Sequence, residues 1–360
     1  MTFRHAIFII TAAAVLAYGL LKPHRNWDMV AYVAAAYHRD GYRGEDLSRA
    51  TYDSVRRTVS SKRFALLTSG RYPGTVFADP ASLEQQIPFY ATRVAYIGLV
   101  RLLGRAGLGY AAATFTISAC FAALSVLLLG LIMSRTSVPL GMLPVVAAVT
   151  GYTDLARFST PDAMACFFSL AGVYSLMGKG KAVFPVAAIL PLIRTDFILL
   201  SALLMGHAYL RGSRLAAPCS LLAAIGLYLL ITRMSGGYGY LTLFNFTFMG
   251  SPHPYPADIV ISTRPADYLM PYWVLLNDLV LRSHAAIYVV ALYLLWLRGG
   301  QERARREFYP LLAIPIVFTA GHLLLFPSDQ YRFFVFSASL ILVWCLHVAQ
   351  GLRQADPSAA

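Results

Sequence analysis

Charged residues are scarce in this chain of 360 residues, and acidic residues are scarcer than basic ones. Asp, Glu, Lys and Arg together make up 13% of the sequence, whereas 58% of its residues are hydrophobic. A soluble domain carries about 25% charged residues, so this composition excludes an ordinary soluble protein and indicates a membrane protein. The net charge is +13. Positive charge on cytoplasmic connections accounts for much of this excess, and no nucleic-acid partner is expected.

Cysteine is also rare, and its spacing contains no metal or redox motif. The four cysteines all lie in apolar runs, without a CxxC pair: Cys120, Cys166, Cys219 and Cys345. We therefore expect them to be small apolar packing residues, and neither disulfides nor metal ligands.

The apolar segments predict an all-α integral membrane protein with about ten transmembrane helices in a single domain, 1–351, and a disordered tail over 352–360. The first segment follows a weak basic region, but many others come after it, so it is interpreted as an uncleaved helix and not as a signal peptide. The ten segments are 5–21, 110–133, 138–151, 160–177, 182–193, 195–210, 215–233, 273–297, 309–326 and 332–350.

An eleventh segment, 87–104, is ambiguous because it carries Arg93 and Arg101 among apolar residues. Two charges suit a helix lying in the membrane interface better than one that crosses. With ten crossings, both termini are cytoplasmic, and more basic residues lie on cytoplasmic connections than on short outer ones, as the positive-inside rule requires. The cytoplasmic set is Arg4, Arg135, Lys179, Lys181, Arg211, Arg214, Arg298, Arg303, Arg305, Arg306 and Arg353; the outer set is Arg157, Arg194, Arg233, Arg264 and Arg332.

Two long outer loops follow from this topology. The first outer loop, 22–109, contains charged amphipathic stretches that predict interfacial helices. The second outer loop, 234–271, is rich in aromatic residues, Gly and Pro, and is expected to lie along the membrane surface or over a cleft.

Acids and arginines collect at the outer ends of the apolar segments, where a membrane protein needs a reason to keep them. They are Asp28 in "NWDMVAY", Asp154, Arg157 and Asp162 in "GYTDLARFSTPDA", Arg194 and Asp196 in "LIRTDFILL", Arg264 and Asp267 in "STRPADYL", and His322, Asp329 and Arg332 in "GHLLLFPSDQYRF". Carboxylates can take a proton from a hydroxyl, and arginine binds phosphate through its planar fork of donors. The combination points to transfer of a group from a lipid-linked phosphate or diphosphate to an acceptor hydroxyl.

These residues also have structural interpretations. Asp28 could cap the helix that follows it, and Asp162 could be a first-turn acid stabilised by the helix dipole. The other structural interpretations are an Arg194–Asp196 pair, Arg332 as an interfacial anchor and His322 as a hydrogen-bonded core histidine.

The layout resembles the polytopic glycosyltransferases of the GT-C superfamily, which include protein O-mannosyltransferases, aminoarabinose transferases of lipid A and oligosaccharyltransferases. A first helix leads into a long outer loop that opens with an acid in "NWDMVAY", and a helix hairpin leads to a second acid-bearing turn in "GYTDLARFSTPDAMACFFSLAGVYSLM". "LIRTDFILL" is similar to the next outer turn, where relatives place a basic residue for the donor phosphate. The resemblance covers 1–210 in its motifs and the remainder in topology only.

This resemblance implies an inverting glycosyltransferase of the bacterial inner membrane with its active site facing the periplasm. The donor would be a polyprenyl-phosphate sugar, and the acceptor a hydroxyl of a cell-envelope glycan or lipid. Asp28 would be the catalytic base. A second acid, Asp162 or Asp154, would orient the acceptor or a divalent metal, while Arg194 and Arg332 would contact the donor phosphate.

Other classes of function stay open at this point. An O-antigen-type polymerase or ligase would use arginines and a histidine in a late outer loop, where this chain has Arg264 and His253. A flippase or transporter of lipid-linked sugars would show paired halves and charges near the bilayer midplane, and the sequence contains no internal repeat. A non-catalytic membrane partner is a further class.

Overall fold

The computed structural model describes residues 3–178, 180–250, 252–279, 284–328 and 330–355. Within these residues the chain forms helices and connections and no strands, which confirms the predicted all-α class. α1 (Phe3–Leu21) is followed by six helices in the first outer loop. They are α2 (Asp28–Arg39), α3 (Gly44–Thr58), α4 (Ser61–Thr68), α5 (Arg71–Ala78), α6 (Pro80–Ala91) and α7 (Val94–Leu103).

The ambiguous segment 87–104 is not one continuous helix, because α6 ends at Ala91 and α7 begins at Val94. The ten residues of α7 span only about 15 Å, half of the hydrocarbon thickness. Arg101, near its end, lies 2.6 Å from the carboxylate of Asp40, which also accepts hydrogen bonds from Arg105 and Tyr110. Burial raises the pKa of Asp40, but the hydrogen bonds from Tyr110 and Arg101 outweigh it and hold that pKa below its usual range.

The middle of the chain forms the helices of the bundle, in the order that the apolar segments predict. They are α8 (Tyr110–Met133), α9 (Leu143–Thr150), α10 (Tyr152–Arg157), α11 (Asp162–Met177), α12 (Val183–Ile193), α13 (Ile198–Leu210) and α14 (Ala216–Met234). Among the described residues, three helices are long and apolar enough to cross a membrane: Tyr110–Met133, Ala216–Met234 and Tyr331–Leu352. Six further apolar helices are shorter. The total of ten crossings stays a prediction.

The last part of the chain contains α15 (Tyr240–Phe248), α16 (Pro265–Leu279), α17 (Ala285–Arg303), α18 (Ile314–Leu325) and α19 (Val335–Ala355). The predicted crossing 273–297 includes residues 280–283, which lie outside the described part of the chain. α16 is described as far as Leu279 and α17 begins at Ala285, so this crossing stays a prediction. The predicted tail over 352–360 begins inside α19, which continues to Ala355, and residues 356–360 are not described.

The two outer loops are bonded to each other. The side chains of Ser82 and Gln86 on α6 both donate to the carbonyl oxygen of Pro254, at 2.6 and 2.8 Å. Tyr255 donates its hydroxyl to the Asp79 carboxylate at 2.7 Å. The loops therefore form one layer over the end of the bundle at which α2 begins.

The bundle has two chemically different ends. At the Asp162 end, α11 begins, α12 ends and α13 begins; at the Met177 end, α11 ends, α12 begins and α13 ends. Arg135 stacks 3.7 Å above the Tyr174 ring at the Met177 end, and Arg306 donates to the carbonyl of Met177 at 2.6 Å. The connections predicted to be cytoplasmic thus meet at the Met177 end; Lys179 lies outside the described residues.

Close helix contacts depend on small residues, as is usual for helices in membranes. A Cβ atom added at Gly19 of α1 would lie 2.7 Å from the carbonyl oxygen of Ala156 and 2.9 Å from the Cβ of Ala119. These distances are shorter than van der Waals contact, and the nearest atom is backbone, so α1, α8 and α10 would have to move apart.

We expect Gly19→Ala to lower stability by about 1–3 kcal/mol, the usual cost of overpacking. The matched control is Gly98→Ala in α7, where an added Cβ meets nothing within 4 Å and the helix propensity of alanine stabilises by up to about 1 kcal/mol. Thermal unfolding of the purified proteins in detergent should give a lower midpoint for the first variant only. An unchanged midpoint for Gly19→Ala would contradict the packing described.

Candidate functional site

Six ionisable side chains at the Asp162 end form a continuous chain of alternating charge, which we name the charged cluster. Its members, in spatial order, are Asp28, Arg332, Asp162, Arg194, Asp196 and His322. Arg332 Nη1 lies 3.1 Å from Asp28 Oδ2, and Arg332 Nε lies 3.4 Å from Asp162 Oδ2. This guanidinium therefore joins two carboxylates that are far apart in the sequence.

Arg194 continues the chain from Asp162 to Asp196. Its Nη1 donates to Asp162 Oδ1, while its Nε and Nη2 donate to the two oxygens of Asp196 at 3.1 and 2.8 Å. The chain ends at His322, whose Nε2 lies 2.9 Å from Asp196 Oδ2. Arg194 thus makes the bidentate contact that its planar fork favours, and all three of its nitrogens are engaged by carboxylates.

Each member of the charged cluster stands at or near the end of a helix. Asp28 and Asp162 are the first residues of α2 and α11, and Asp196 lies in the short turn between α12 and α13. Arg332 is in the turn before α19, and His322 is in the last turn of α18. At these positions the charged groups lie at one end of the bundle and not in its middle, where the free-energy cost of removing a charge from water is largest.

Asp28 does not cap α2. The helix begins at Asp28 itself, and its N-cap residue, Trp27, makes no side-chain capping bond. The Asp28 carboxylate instead accepts hydrogen bonds from Asn26 Nδ2 at 2.5 Å and from the Tyr90 hydroxyl at 3.3 Å. Asn26 is held in turn by the backbone N–H of Ser159. The orientation of this carboxylate is therefore fixed by groups from three segments, and its side chain remains 23% exposed.

The centre of the charged cluster is closed to solvent. The side chains of Asp162 and Arg194 are 3% and 7% exposed, and the Arg194 guanidinium lies 4.1 Å above the Phe333 ring. Thr160 donates a further hydrogen bond to Asp162 at 2.8 Å. Asp28 and Asp196, the latter 31% exposed, are the carboxylates that solvent reaches. A reacting group is therefore better placed at either end of the cluster than at its centre.

An aromatic wall lies beside Asp28 and is built from both outer loops. Trp27 contacts Tyr72 and Tyr90 with ring centroids 5.1 and 6.2 Å apart, and Tyr72 contacts Phe246 of the second loop at 6.3 Å. Within the described residues, the indole Nε1 of Trp27 is buried and has no hydrogen-bond partner. The wall thus offers flat apolar faces and one unused donor next to a carboxylate.

Further arginines surround the segment before Asp28. Arg63 Nε donates to the carbonyl of Arg25 at 3.0 Å, and Arg157 Nε donates to that of Lys22 at 2.8 Å. Burial lowers the pKa of His24, and the positive charges of Arg63, Arg157 and Arg332 lower it further. The approach to Asp28 is therefore positively charged.

Not all of the predicted residues belong to the charged cluster. Asp154 accepts a hydrogen bond from the Tyr331 hydroxyl at 2.9 Å and lies 3.5 Å from Arg157 on the same short helix, α10. Of the alternatives Asp162 and Asp154, Asp162 is therefore the one in the cluster. Asp329 lies outside the described residues.

The prediction that placed Arg264 in the site is not supported by its position. Its backbone N–H donates to Ser262 Oγ, and Asp267 accepts from the same hydroxyl, so both acid and base belong to a turn within the second outer loop. No ion pair joins Arg264 to the charged cluster in the described part of the chain. The local sequence "STRPAD" favours such a turn through Ser and Pro, and that signal was available before the structure.

Asn26, Tyr90 and Arg63 are the site neighbours that sequence reasoning missed. Asn26 stands two residues before Asp28, and that proximity is a signal that could have identified it. Tyr90 and Arg63 lie on α6 and α4, in the first outer loop, and only the packing of these helices brings them near.

The carboxylates of the charged cluster do not fit a divalent metal ion. Arg332 occupies the space between Asp28 and Asp162, and its positive charge opposes a second cation at that point. Among the described residues, no group of three or more His, Cys, Asp or Glu side chains is arranged to hold a metal. We derive no step through a metal.

Comparison of the chain with protein-family models, with characterised proteins and with solved structures gave no match.

We expect Arg194→Ala to lower stability by about 3–5 kcal/mol, because it leaves Asp162 and Asp196 without their shared partner. The control is Arg49→Ala, whose partner Asp46 is 3.9 Å away in an exposed pair worth about 0–1 kcal/mol. Thermal unfolding in detergent compares the two variants. Equal midpoints would show that the buried pairs do not hold this end of the bundle together.

Proposed function

We propose that this protein is an inverting glycosyltransferase that moves a sugar from a polyprenyl-phosphate donor to an acceptor hydroxyl at the periplasmic face of the inner membrane. The observation that supports it best is the partly exposed Asp28 carboxylate, held by Arg332 beside an aromatic wall. The basic connections lie at the other end of the bundle, and the positive-inside rule assigns that end to the cytoplasm. Asp28 would then face the periplasm.

Asp28 acts as general base in this proposal. Its carboxylate takes the proton of the acceptor hydroxyl, and the oxygen attacks the anomeric carbon from the face opposite the phosphate. The bond between that carbon and the phosphate oxygen breaks, and the polyprenyl phosphate leaves with the electron pair. One displacement inverts the configuration at the anomeric carbon.

Arg332 is the cation best placed to stabilise the leaving phosphate. Its Nη1 donates to Asp28, while its Nε is buried 3.4 Å from Asp162 and has no hydrogen-bond partner within the described residues. A donor fixed in place and aimed at developing negative charge is the usual source of transition-state stabilisation. Arg157 and Arg63 add positive charge nearby.

The role proposed for Arg194 differs from the one that the sequence predicted. Its three nitrogens are occupied by Asp162 and Asp196, so it is a positioning residue in this proposal and not a phosphate contact. Asp162 in turn lies against Arg332. The buried centre of the charged cluster therefore orients the guanidinium that meets the donor.

The prenyl chain of the donor has a candidate seat in an apolar groove between α17 and α18. The groove has a volume of about 650 Å³ and includes Val289, Ala320 and Leu323 in its lining. Tyr331, the residue before Arg332, stands at the same groove. A prenyl chain lying there would bring its phosphate toward the Arg332 end of the charged cluster. The volume of the groove is in the range of ligand sites.

The sequence contains no internal repeat, which favours this function over transport, because many transporters are built from paired halves. The polymerase or ligase alternative depends on Arg264, which lies apart from the cluster.

We expect Asp28→Asn to lower transfer by about 100- to 10,000-fold, the usual contribution of a general base. Membranes from expressing cells are compared for consumption of endogenous polyprenyl-phosphate sugars, measured by mass spectrometry of the lipids. Asp53→Asn is the control, because that carboxylate lies on the exposed face of α3. Full activity of Asp28→Asn would remove the base from the mechanism. If folded wild-type protein changed no lipid-linked sugar, transport or a partner role would be favoured.

The groove is tested by Ala320→Phe, which fills it with a larger side chain. We expect KM for a long-chain polyprenyl donor to rise about tenfold, within the range that one hydrophobic pocket discriminates, and KM for a short-chain donor to change little. Val317→Phe is the control, because Val317 is exposed on the same helix but does not line the groove. Equal effects of both variants would place the prenyl chain elsewhere.

A further inference from the structure

A second cavity lies at the Met177 end of the bundle, opposite the charged cluster. It has a volume of about 910 Å³ and is bounded by the connection between α11 and α12, the connection between α13 and α14, and the segment before α18. Its basic side chains come from these three separate parts of the chain. They are Lys181, His207, Arg211, Arg214 and Arg306, and we name this site the basic cavity.

The lining of the basic cavity carries positive charge and no acid. No Asp or Glu is among its lining residues in the described part of the chain, and the nearest acid in the sequence, Glu307, lines an adjoining cavity that shares Met177 and Arg306 with it. Lys181, Arg211 and Arg214 are exposed and make no ion pair or side-chain hydrogen bond with a described residue.

The positive-inside rule explains why basic residues lie on these connections, but it does not explain why they meet around one cavity. A concave site lined by charge of one sign raises the local concentration of anions. Arginine and lysine together are the side chains that bind phosphate, Arg through its planar fork and Lys as a point charge.

The cavity also has an apolar wall, which a purely ionic ligand would not use. Leu176, Val183 and Phe184 line one part of it, and Leu215, which is exposed, lies at another. A ligand that satisfies both parts carries a phosphate at one end and hydrocarbon at the other.

We propose that the basic cavity binds the phosphate-bearing headgroup of an anionic lipid, at the face of the membrane opposite the proposed active site. Arg211 and Arg214 bind the phosphate oxygens, Lys181 adds charge, and the first part of an acyl chain lies against the apolar wall. Basic pockets between helices on the cytoplasmic side are suited to such headgroups. This site is independent of the proposed transferase function.

The test uses full-length protein in detergent and native mass spectrometry during titration with phosphatidylglycerol or, for comparison, phosphatidylcholine of the same chain length. Wild type is expected to retain phosphatidylglycerol preferentially. Arg211→Gln/Arg214→Gln is expected to weaken this binding by at least about tenfold, the loss of two charge-assisted contacts. Arg298→Gln/Arg303→Gln, which removes two charges from α17 outside the cavity, is expected to bind as wild type does.

Equal weakening by both double variants would overturn the proposal, because it would show attraction to net charge and no defined site. The lipid and free phosphate are distinguished by competition with inorganic phosphate. If millimolar phosphate displaces the lipid and binds the protein in its absence, the site belongs to a soluble phosphate compound and the lipid assignment is wrong. If Arg211→Gln/Arg214→Gln does not fold, Lys181→Gln replaces it in the titration. We expect a smaller loss of affinity for phosphatidylglycerol in this variant. An unchanged affinity would contradict the proposal.

Discussion

The contact of the Arg332 guanidinium with the carboxylates of Asp28 and Asp162 joins three parts of this protein that are far apart in the sequence. It joins the first helix of the first outer loop, the start of α11 and the turn before α19 at distances of 3.1 and 3.4 Å. Charges removed from water are costly unless their partners are well placed, and here each member of the charged cluster lies against one of opposite sign or against His322. α2 is also packed against α3, α6, α7 and α8, and the contact with Arg332 fixes the orientation of the Asp28 carboxylate at its start.

The remaining architecture divides the molecule into parts with separate tasks. The two outer loops are bonded through the carbonyl of Pro254 and lie over the Asp162 end, while the apolar groove between α17 and α18 opens to the side. In the proposed function, a hydrophilic acceptor and a lipid donor would therefore have different routes to Asp28. The Met177 end has no share in this chemistry, and its basic residues face the other surface of the bundle.

Much of the site was predictable because a membrane penalises isolated charge. Asp28, Asp162, Arg194, Asp196, His322 and Arg332 were singled out on that ground, and the structure brings all six together. The same reasoning also selected Arg264, which lies apart, because a solvated turn at the membrane surface carries no such penalty. The choice between Asp154 and Asp162 depended on tertiary contacts, and the pairing of Asp28 with Arg332 spans 304 residues. No local pattern encodes either. The all-α class, by contrast, followed from composition.

The separation of Asp28 from Arg332 along the chain has a consequence for biosynthesis. A ribosome adds about 5–20 residues each second, so roughly 15–60 s pass between the synthesis of the acid and that of its cation. During that interval Asp28 and Asp162 lack Arg332, and Asp162 has only Arg194 once the first half is made. α2 packs against α3, α6, α7 and α8, which are all made early, so the first outer loop can pack before the end of the chain exists. Its link to the turn before α19 forms last, and a fault in the insertion of α19 would leave Asp28 without its cation.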